Sequence, residues 1–311
     1  MGVLRAIEAI RVPALDAVMS YVTYGGSELI FMLVALIAFW CVSKKTGYYI
    51  LMVGFFGTAV NQICKLLFQV PRPWVLDPNF TIVEAARAGA SGYSFPSGHT
   101  QTAVGTFTCL FLSTKNRLLR AVCVALIVLV PFSRMYLGVH TPLDVGVAFL
   151  FALVLALALR PVVDAAYCAP NKMRTILGVM LLVSLGFLAF VSYYPFSAQT
   201  SAENLAEGVK NAYTLAGAIA GLLVCYVLDQ RYIQFETAAP IWMQTLKVLL
   251  GLSLLLLIKQ GLKAPLSDLF GGHPVADTVR YFLVVLVAAA AWPAIFTWFS
   301  HWLDERKQAK A

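Results

Sequence analysis

The sequence predicts an all-α, polytopic helical membrane protein, and three observations carry that prediction. Hydrophobic residues make up 60% of the 311-residue chain and charged residues only 12%, a balance foreign to soluble domains. Apolar stretches of about 20 residues, long enough to cross the hydrocarbon core of a bilayer, recur from end to end. The Lys and Arg residues between them fall unevenly on alternate loops, as in other membrane proteins. Nothing marks a boundary between soluble domains, although the length would allow two.

The elements follow in order. Residues 1–26 alternate Val3, Ile7, Ile10, Ala14 and Val18 with Arg5, Glu8, Arg11 and Asp16, interrupted by Pro13. That pattern predicts an interfacial amphipathic segment, and it lacks the compact core and cleavage site of a secretory signal. Nine spans are expected next, at 27–43, 48–70, 98–114, 119–132, 143–160, 175–194, 212–229, 241–258 and 279–299. The fourth is short and is expected to end at Pro131. No repeat or low-complexity tract interrupts the series.

The net charge of +8 is of a size that suggests nucleic acid or anionic lipid, but its distribution points to membrane topology and not to nucleic acid. With the N-terminus outside, thirteen Lys and Arg residues fall inside, among them Lys44, Lys45, Lys115, Arg117 and the tail residues Arg306, Lys307 and Lys310, against ten outside. Setting aside the outer Lys65, Arg72 and Arg134 leaves thirteen against seven, the expected positive-inside bias. The chain is thus expected to lie in a bacterial plasma membrane with its N-terminus extracytoplasmic and its C-terminus cytoplasmic. Five of the six cysteines, Cys41, Cys64, Cys109, Cys123 and Cys225, sit in or beside apolar segments and Cys168 in a short loop, so unpaired thiols are expected. No feature sets an oligomeric state.

Three polar strings break the apolar pattern: Lys65 to Pro73, Pro96 to His99, and Ser133 to Asp144. The orientation above puts all three on the outer side. Charged groups at a bilayer are costly and tend to be functional. Thr141 is a plausible N-cap and Pro142 a good first residue for the fifth span. Asp144, one turn in, can then accept a hydrogen bond from one His140 nitrogen and leave the other free to attack. Ser97 can cap the third span, Gly98 permits close approach of a ligand, and the two helix N-termini offer amides to an anion. His99 can protonate a leaving oxygen. Lys65, Arg72 and Arg134 supply cations suited to phosphate oxygens. Taken singly, each string also reads as a span end: a capping histidine beside an acid, a Pro-Ser-Gly turn, cations snorkelling to headgroups.

Together the strings resemble the signature of the type-2 phosphatidic acid phosphatase superfamily, which includes lipid phosphate phosphatases, glucose-6-phosphatase and vanadium haloperoxidases. Lys65, Arg72 and Pro73 match its first motif, Pro96, Ser97, Gly98 and His99 its second, and Ser133, Arg134, His140 and Asp144 its third. The resemblance covers roughly 48–160. It implies a catalytic helical core in which His140 is the nucleophile that forms a phosphohistidine, Asp144 orients it, and His99 is the general acid. It also implies that Lys65, Arg72, Ser97, Gly98 and Arg134 hold the phosphate, and that no metal or other cofactor takes part. The expected division is an interfacial segment (1–26), a catalytic membrane core (27–160) and a C-terminal transmembrane extension without recognisable chemistry (161–311).

The implied function is metal-independent hydrolysis of a lipid phosphate or diphosphate at the extracytoplasmic face, the substrate being of the phosphatidate, phosphatidylglycerol phosphate or undecaprenyl diphosphate class. Hydrolysis of a soluble ester such as a sugar phosphate, favoured by the nine-span layout, and phosphotransfer through the same intermediate are the enzymatic alternatives. A lipid-binding or lipid-translocating protein is the non-enzymatic one. Elsewhere, Asn61 is expected to make a helix–helix hydrogen bond or to support Lys65, and Trp74–Phe95 to cover the site with Asp77, Glu84 and Arg87 on a solvated face. Residues 195–211, with Glu203, Glu207 and Lys210, are expected as a short solvated helix and His273 as a turn residue.

Overall fold

The computed structural model describes residues 1–198 and 200–308 and is helical throughout, with no strand among them. Lys310 of the expected basic tail lies outside the described residues. The helices are α1 (Gly2–Glu8), α2 (Pro13–Val22), α3 (Glu28–Ile37), α4 (Lys44–Phe68), α5 (Pro73–Leu76), α6 (Gly98–Ser113) and α7 (Arg117–Tyr136). They continue with α8 (Pro142–Tyr167), α9 (Pro170–Tyr193), α10 (Ala202–Leu228), α11 (Ile241–Gly261), α12 (Lys263–Leu269), α13 (Val275–Leu286) and α14 (Trp292–Gln308).

Among the described residues, seven helices are long and apolar enough to cross a membrane, or up to eight if the bent pair Pro13–Gly26 and Glu28–Val42 is one span. The expected count of nine is therefore not reached on length and composition. The remaining expected span, 98–114, is α6, whose 16 residues rise only about 24 Å. The fourth span is longer than expected: α7 runs through Pro131 to Tyr136. A proline removes one backbone donor without having to end a helix whose neighbours pack around it. The extra turn carries Arg134 inward.

The chain forms two compact units. The first, residues 1–35, 48–163 and 193–208, contains all three polar strings. Its N-terminal segment packs against the rest of the unit. Leu4 is fully buried, and Met19 packs with Tyr136, Leu137 and Val139. Arg5 pairs with Asp77 at 2.5 Å, and Arg11 donates to the carbonyls of Tyr136 and Thr81, both at 2.7 Å. Local signals place the helix starts: Ser97 Oγ caps α6 through Thr100 N (3.4 Å), and Asn116 Oδ1 caps α7 through Leu119 N (3.0 Å). At α8, Thr141 Oγ1 accepts from Asp144 N (3.2 Å) while Asp144 Oδ2 accepts from Thr141 N (2.7 Å), a reciprocal box that satisfies two otherwise orphaned donors.

The second unit, residues 36–47, 164–192 and 209–311, is built round aromatic rings. Phe235 stacks edge-on against Phe39 and Phe296, and Trp40 Nε1 donates to Ala288 O at 2.8 Å. Lys44 pairs with the buried Asp229 at 2.7 Å and sits 3.8 Å above Phe235. A buried ion pair capped by a ring leaves neither charge unmatched in an apolar interior. His273 behaves as a turn residue, accepting from Val275 N at 3.2 Å. All six cysteines are free thiols.

Candidate active site

The last turn of α4 and the chain that follows deliver the first two cations. Lys65 Nζ donates to Tyr93 O at 2.8 Å. Arg72, 6% exposed, immediately precedes α5 and uses its whole fork: Nε to Gly92 O (3.0 Å), Nη2 to Ser91 O (2.5 Å) and Nη1 to Val139 O (3.0 Å). A planar guanidinium can hold three carbonyls and still present an edge to a ligand, which an ammonium cannot do. That edge meets His140: Arg72 Nη1 lies 2.9 Å from His140 Nε2.

His140 occupies the short connection between α7 and α8, where Gly138, at φ +79°, reverses the chain. The imidazole is 2% exposed and Asp144 1%. Its Nδ1 faces Asp144 Oδ2 at 3.6 Å and Ser94 Oγ at 3.4 Å, while Ser94 Oγ donates to the same Asp144 oxygen at 2.6 Å. The direct His140–Asp144 hydrogen bond expected from the spacing is longer than a bond here because Ser94 and Thr141 N already occupy that oxygen. Arg72 Nη1 is also 3.5 Å from Nδ1, so that contact does not single out a ring nitrogen. Ser94 Oγ, whose proton goes to Asp144, can only accept at Nδ1. This puts the proton of neutral imidazole on Nδ1 and leaves Nε2 its lone pair. Burial, reinforced by Arg72, Arg134 and Lys65, pushes the His140 pKa well below its ordinary value and keeps that lone pair available.

Ser97 N donates to Asp144 O at 3.1 Å, so the starts of α6 and α8 meet, as the two caps implied. Asn61, 3% exposed, donates to Pro96 O at 3.3 Å; it braces the Pro-Ser-Gly-His turn rather than bonding helix to helix. Gly98 and His99 open α6, and the charges of Arg134, Lys65 and Arg72 all bear on His99. Arg134, 1% exposed, donates from Nη1 to Thr23 Oγ1 at 2.8 Å and from Nη2 to Gly89 O at 3.4 Å. Its Nε has no acceptor. A buried donor without a partner is costly, and a phosphate oxygen is the natural group to satisfy it.

Every residue expected at the site lies in the first unit, and the contacts above link Lys65, Arg72, Ser97, Arg134, His140 and Asp144 through shared loops. Four neighbours were not legible as site residues. Ser94 bridges His140 and Asp144, Thr23 holds Arg134, Ser91 carries Arg72, and Glu207 touches Ser91. Only Ser94, two residues before the Pro-Ser-Gly-His string, had a sequence position that hinted at a role. In the covering segment, Glu84 and Arg87 pair on the exposed face at 2.7 Å as expected. Among the described residues, no three His, Cys, Asp or Glu side chains gather into a metal-binding group.

Comparison with known proteins covers both halves of the chain. The PAP2 superfamily profile matches residues 45–168, and that of the PAP2 superfamily phosphatase transmembrane extension matches 213–304. Phosphatidylglycerophosphatase B of Bacillus subtilis is 32% identical over 167 residues, which are 50% of this chain and 78% of that protein. Undecaprenyl-diphosphatase BcrC of the same organism is 28% identical, over 48% of this chain and 79% of its own. Sphingosine-1-phosphate phosphatase 1 of Mus musculus is 24% identical over 81% of this chain and 61% of its own. No solved structure matches. The two profiles and the relatives agree with the three polar strings: the chain belongs to the PAP2 superfamily and is an integral membrane phosphoric ester hydrolase.

Proposed function

We propose that this lipid phosphatase of the PAP2 family hydrolyses a lipid phosphate or diphosphate at the extracytoplasmic face, through a phosphohistidine on His140 and without a metal. The observation that carries the reading is the orientation of His140. Its Nδ1 lies beside Ser94 and Asp144, and Arg72 Nη1 stands 2.9 Å from Nε2 and 3.5 Å from Nδ1.

In the proposed cycle, phosphate oxygens take donors from Lys65, Arg72, Arg134 and the amides at Ser97–Gly98. The Nε2 lone pair attacks phosphorus in line, and the bond to the leaving oxygen breaks. His99 gives that oxygen its proton. The imidazolium on His140 is stabilised by Asp144 through Nδ1–H. Water then attacks the phosphohistidine, His99 takes its proton, inorganic phosphate leaves and His140 returns neutral. Transfer of a phosphoryl group rewards fixed charge around the equatorial oxygens more than covalent assistance, and three cations, Arg72 and Arg134 buried and Lys65 partly so, supply that charge.

The three relatives named above are, by their names, phosphatases of a phosphatidylglycerol phosphate, an undecaprenyl diphosphate and a sphingosine phosphate, and this supports a lipid substrate. The soluble-ester alternative leaned only on a nine-span layout, whereas seven or eight of the described helices are long and apolar enough to cross a membrane. The extracytoplasmic placement is supported by the excess of Lys and Arg on the opposite side.

The test is phosphate release by the purified protein in detergent, with phosphatidate, undecaprenyl diphosphate and glucose phosphate offered separately in the presence of EDTA. Turnover of the lipids alone, lost in His140→Ala, is the expected result. Equal release by His140→Ala would remove the nucleophile assignment. Inhibition by EDTA would remove the metal-free mechanism, and preference for the sugar phosphate would remove the lipid substrate. Label passing to an added alcohol in place of water would make the enzyme a transferase.

A further inference from the structure

The loop Ser91–Tyr93 is gripped from two sides. Inside, its carbonyls receive the site's cations: Arg72 at Ser91 O (2.5 Å) and Gly92 O (3.0 Å), and Lys65 at Tyr93 O (2.8 Å). Outside, it is held by residues 200–207, which belong to the same compact unit. Ser91 Oγ donates to Glu207 Oε1 at 3.2 Å, and Ser201 N donates to Tyr93 Oη at 3.1 Å. Tyr93 Oη donates in turn to Gln69 at 3.4 Å, and Gln69 donates to Thr200 Oγ1 at 2.9 Å.

Gly92 lets the two sides come close. Its φ of +71° suits glycine, and a Cβ there would lie 3.2 Å from Glu207 Oε2 and 3.8 Å from Lys65 Nζ. The carboxylate and the ammonium therefore lie against the same peptide. Besides Asp144, Glu207 is the carboxylate whose charge bears on both Lys65 and Arg72. Residue 207 lies outside both matched regions, 45–168 and 213–304.

We propose that Glu207 is a positioning residue of the phosphate site: it anchors Ser91 and, through the Ser91–Tyr93 loop, fixes where the donors of Lys65 and Arg72 point. The proposal rests on the phosphate-holding role given to those cations above. Lys and Arg carry large rotamer freedom. Carbonyl partners held in place before substrate arrives remove that freedom in advance, and pre-set geometry of this kind lowers the entropic cost of binding. Without the outer anchor the cations keep their charge but lose their place. The same donors hold the phosphate in the bound state and in the transition state, so the loss appears in vanadate binding and in kcat/KM.

The experiment compares Glu207→Ala, Glu207→Gln, Ser91→Ala and the double variant Glu207→Ala/Ser91→Ala in the full-length protein. Three readouts are taken: kcat and KM for phosphatidate, inhibition by orthovanadate, and amide hydrogen exchange over residues 89–95. Glu207→Ala should lower kcat/KM and raise the vanadate inhibition constant, each by about tenfold, the size of one ordinary hydrogen bond, with faster exchange at Gly92 and Tyr93. Ser91→Ala should match it, and the double variant should be no worse than either, because both break one contact. Glu207→Gln, which keeps an acceptor oxygen for Ser91, should stay near wild type. The proposal is overturned if Glu207→Ala binds vanadate and exchanges like wild type, or if Glu207→Gln is as damaged as Glu207→Ala. Should the wild type release phosphate from no lipid, the proposed function fails by itself, while vanadate binding and exchange still decide the anchor.

Discussion

Arg72 Nη1 stands 2.9 Å from His140 Nε2, the imidazole nitrogen turned away from Asp144. One contact thus joins the phosphate-holding group to the nucleophile. Ser94 Oγ gives its proton to Asp144 and can only accept at Nδ1, so the proton of the neutral ring belongs there and Nε2 keeps its lone pair. In the proposed cycle an arriving phosphate takes its oxygens to the Arg72 donors, and the group that holds the phosphate thereby brings phosphorus beside the Nε2 lone pair.

Arg72→Lys keeps the charge and removes the fork. A lysine cannot reach the carbonyls of Ser91, Gly92 and Val139 and still offer a donor to His140. Loss of one charge-stabilising donor at a transferring group costs roughly 3–4 kcal/mol, so kcat/KM should fall about 10²- to 10³-fold. Phosphate release from a lipid phosphate measures it, and a variant within threefold of wild type would show that the fork is not used.

Ser94→Ala tests the bridge. Ser94 Oγ lies 3.4 Å from His140 Nδ1 and donates to Asp144 Oδ2 at 2.6 Å. Hydrogen bonds to charged groups are worth about 1.5–3 kcal/mol, so kcat should drop roughly 10- to 100-fold. KM should change little, since Ser94 contacts none of the phosphate-holding cations. Asp144→Asn should lower kcat further, because it removes the charge that stabilises the imidazolium. Equal kcat for Ser94→Ala and wild type would leave Asp144 to orient His140 unaided.

His140 should remain neutral through the range in which an ordinary histidine titrates. Burial and three cations push its pKa well below 6.5, so the nucleophile keeps its lone pair as pH falls from 8 to 5. The unfolded chain does bind a proton over that range, so His140 removes stability as pH falls through its unfolded value and adds none of its own acid limb to kcat/KM. Nitrogen-15 spectra of the imidazoles, assigned with His140→Ala, check this directly. A His140 signal titrating near 6.5 would contradict the neutral, Nδ1-protonated form.

The motif residues were legible because their chemistry is local. Thr141 and Asp144 form a capping box three residues apart, Ser97 caps α6, and the spacing from Arg134 to His140 is one helix end and a turn. What was hidden is what arrives from a distance. Thr23 reaches Arg134 across 111 residues and Glu207 reaches Ser91 across 116, and no periodicity announces either. The bounds of a span shifted for a related reason. Hydropathy stopped the fourth span at Pro131, whereas α7 runs through its proline to Tyr136, and α6 has only the 16 residues of a short span.

The proposed orientation puts the α8–α9 connection in the cytoplasm. Cys168 is exposed there. With Cys168 as the sole cysteine, a membrane-impermeant maleimide should label inverted vesicles and spare intact cells. Labelling of intact cells would place the site on the cytoplasmic face, because the starts of α6 and α8 lie at the opposite end of α8 from Cys168.

Gly138→Ala should damage the site through the backbone. At φ +79° an alanine is strained, by about 1–2 kcal/mol for the left-handed conformation alone. Its Cβ would also stand 2.7 Å from Arg11 Nη2 and 2.9 Å from Phe80 Cε1, so the N-terminal segment and the covering loop must both give way. Because His140 follows two residues later, activity should fall together with the thermal midpoint in detergent. Gly146→Ala is the control: it sits in α8 with nothing within 4 Å of the added carbon, and exchanging glycine for alanine in a helix gains up to about 1 kcal/mol. An equal loss of midpoint in both variants would mean that the turn before His140 has no special geometry to lose, whereas a loss confined to Gly138→Ala ties the nucleophile's place to that one residue.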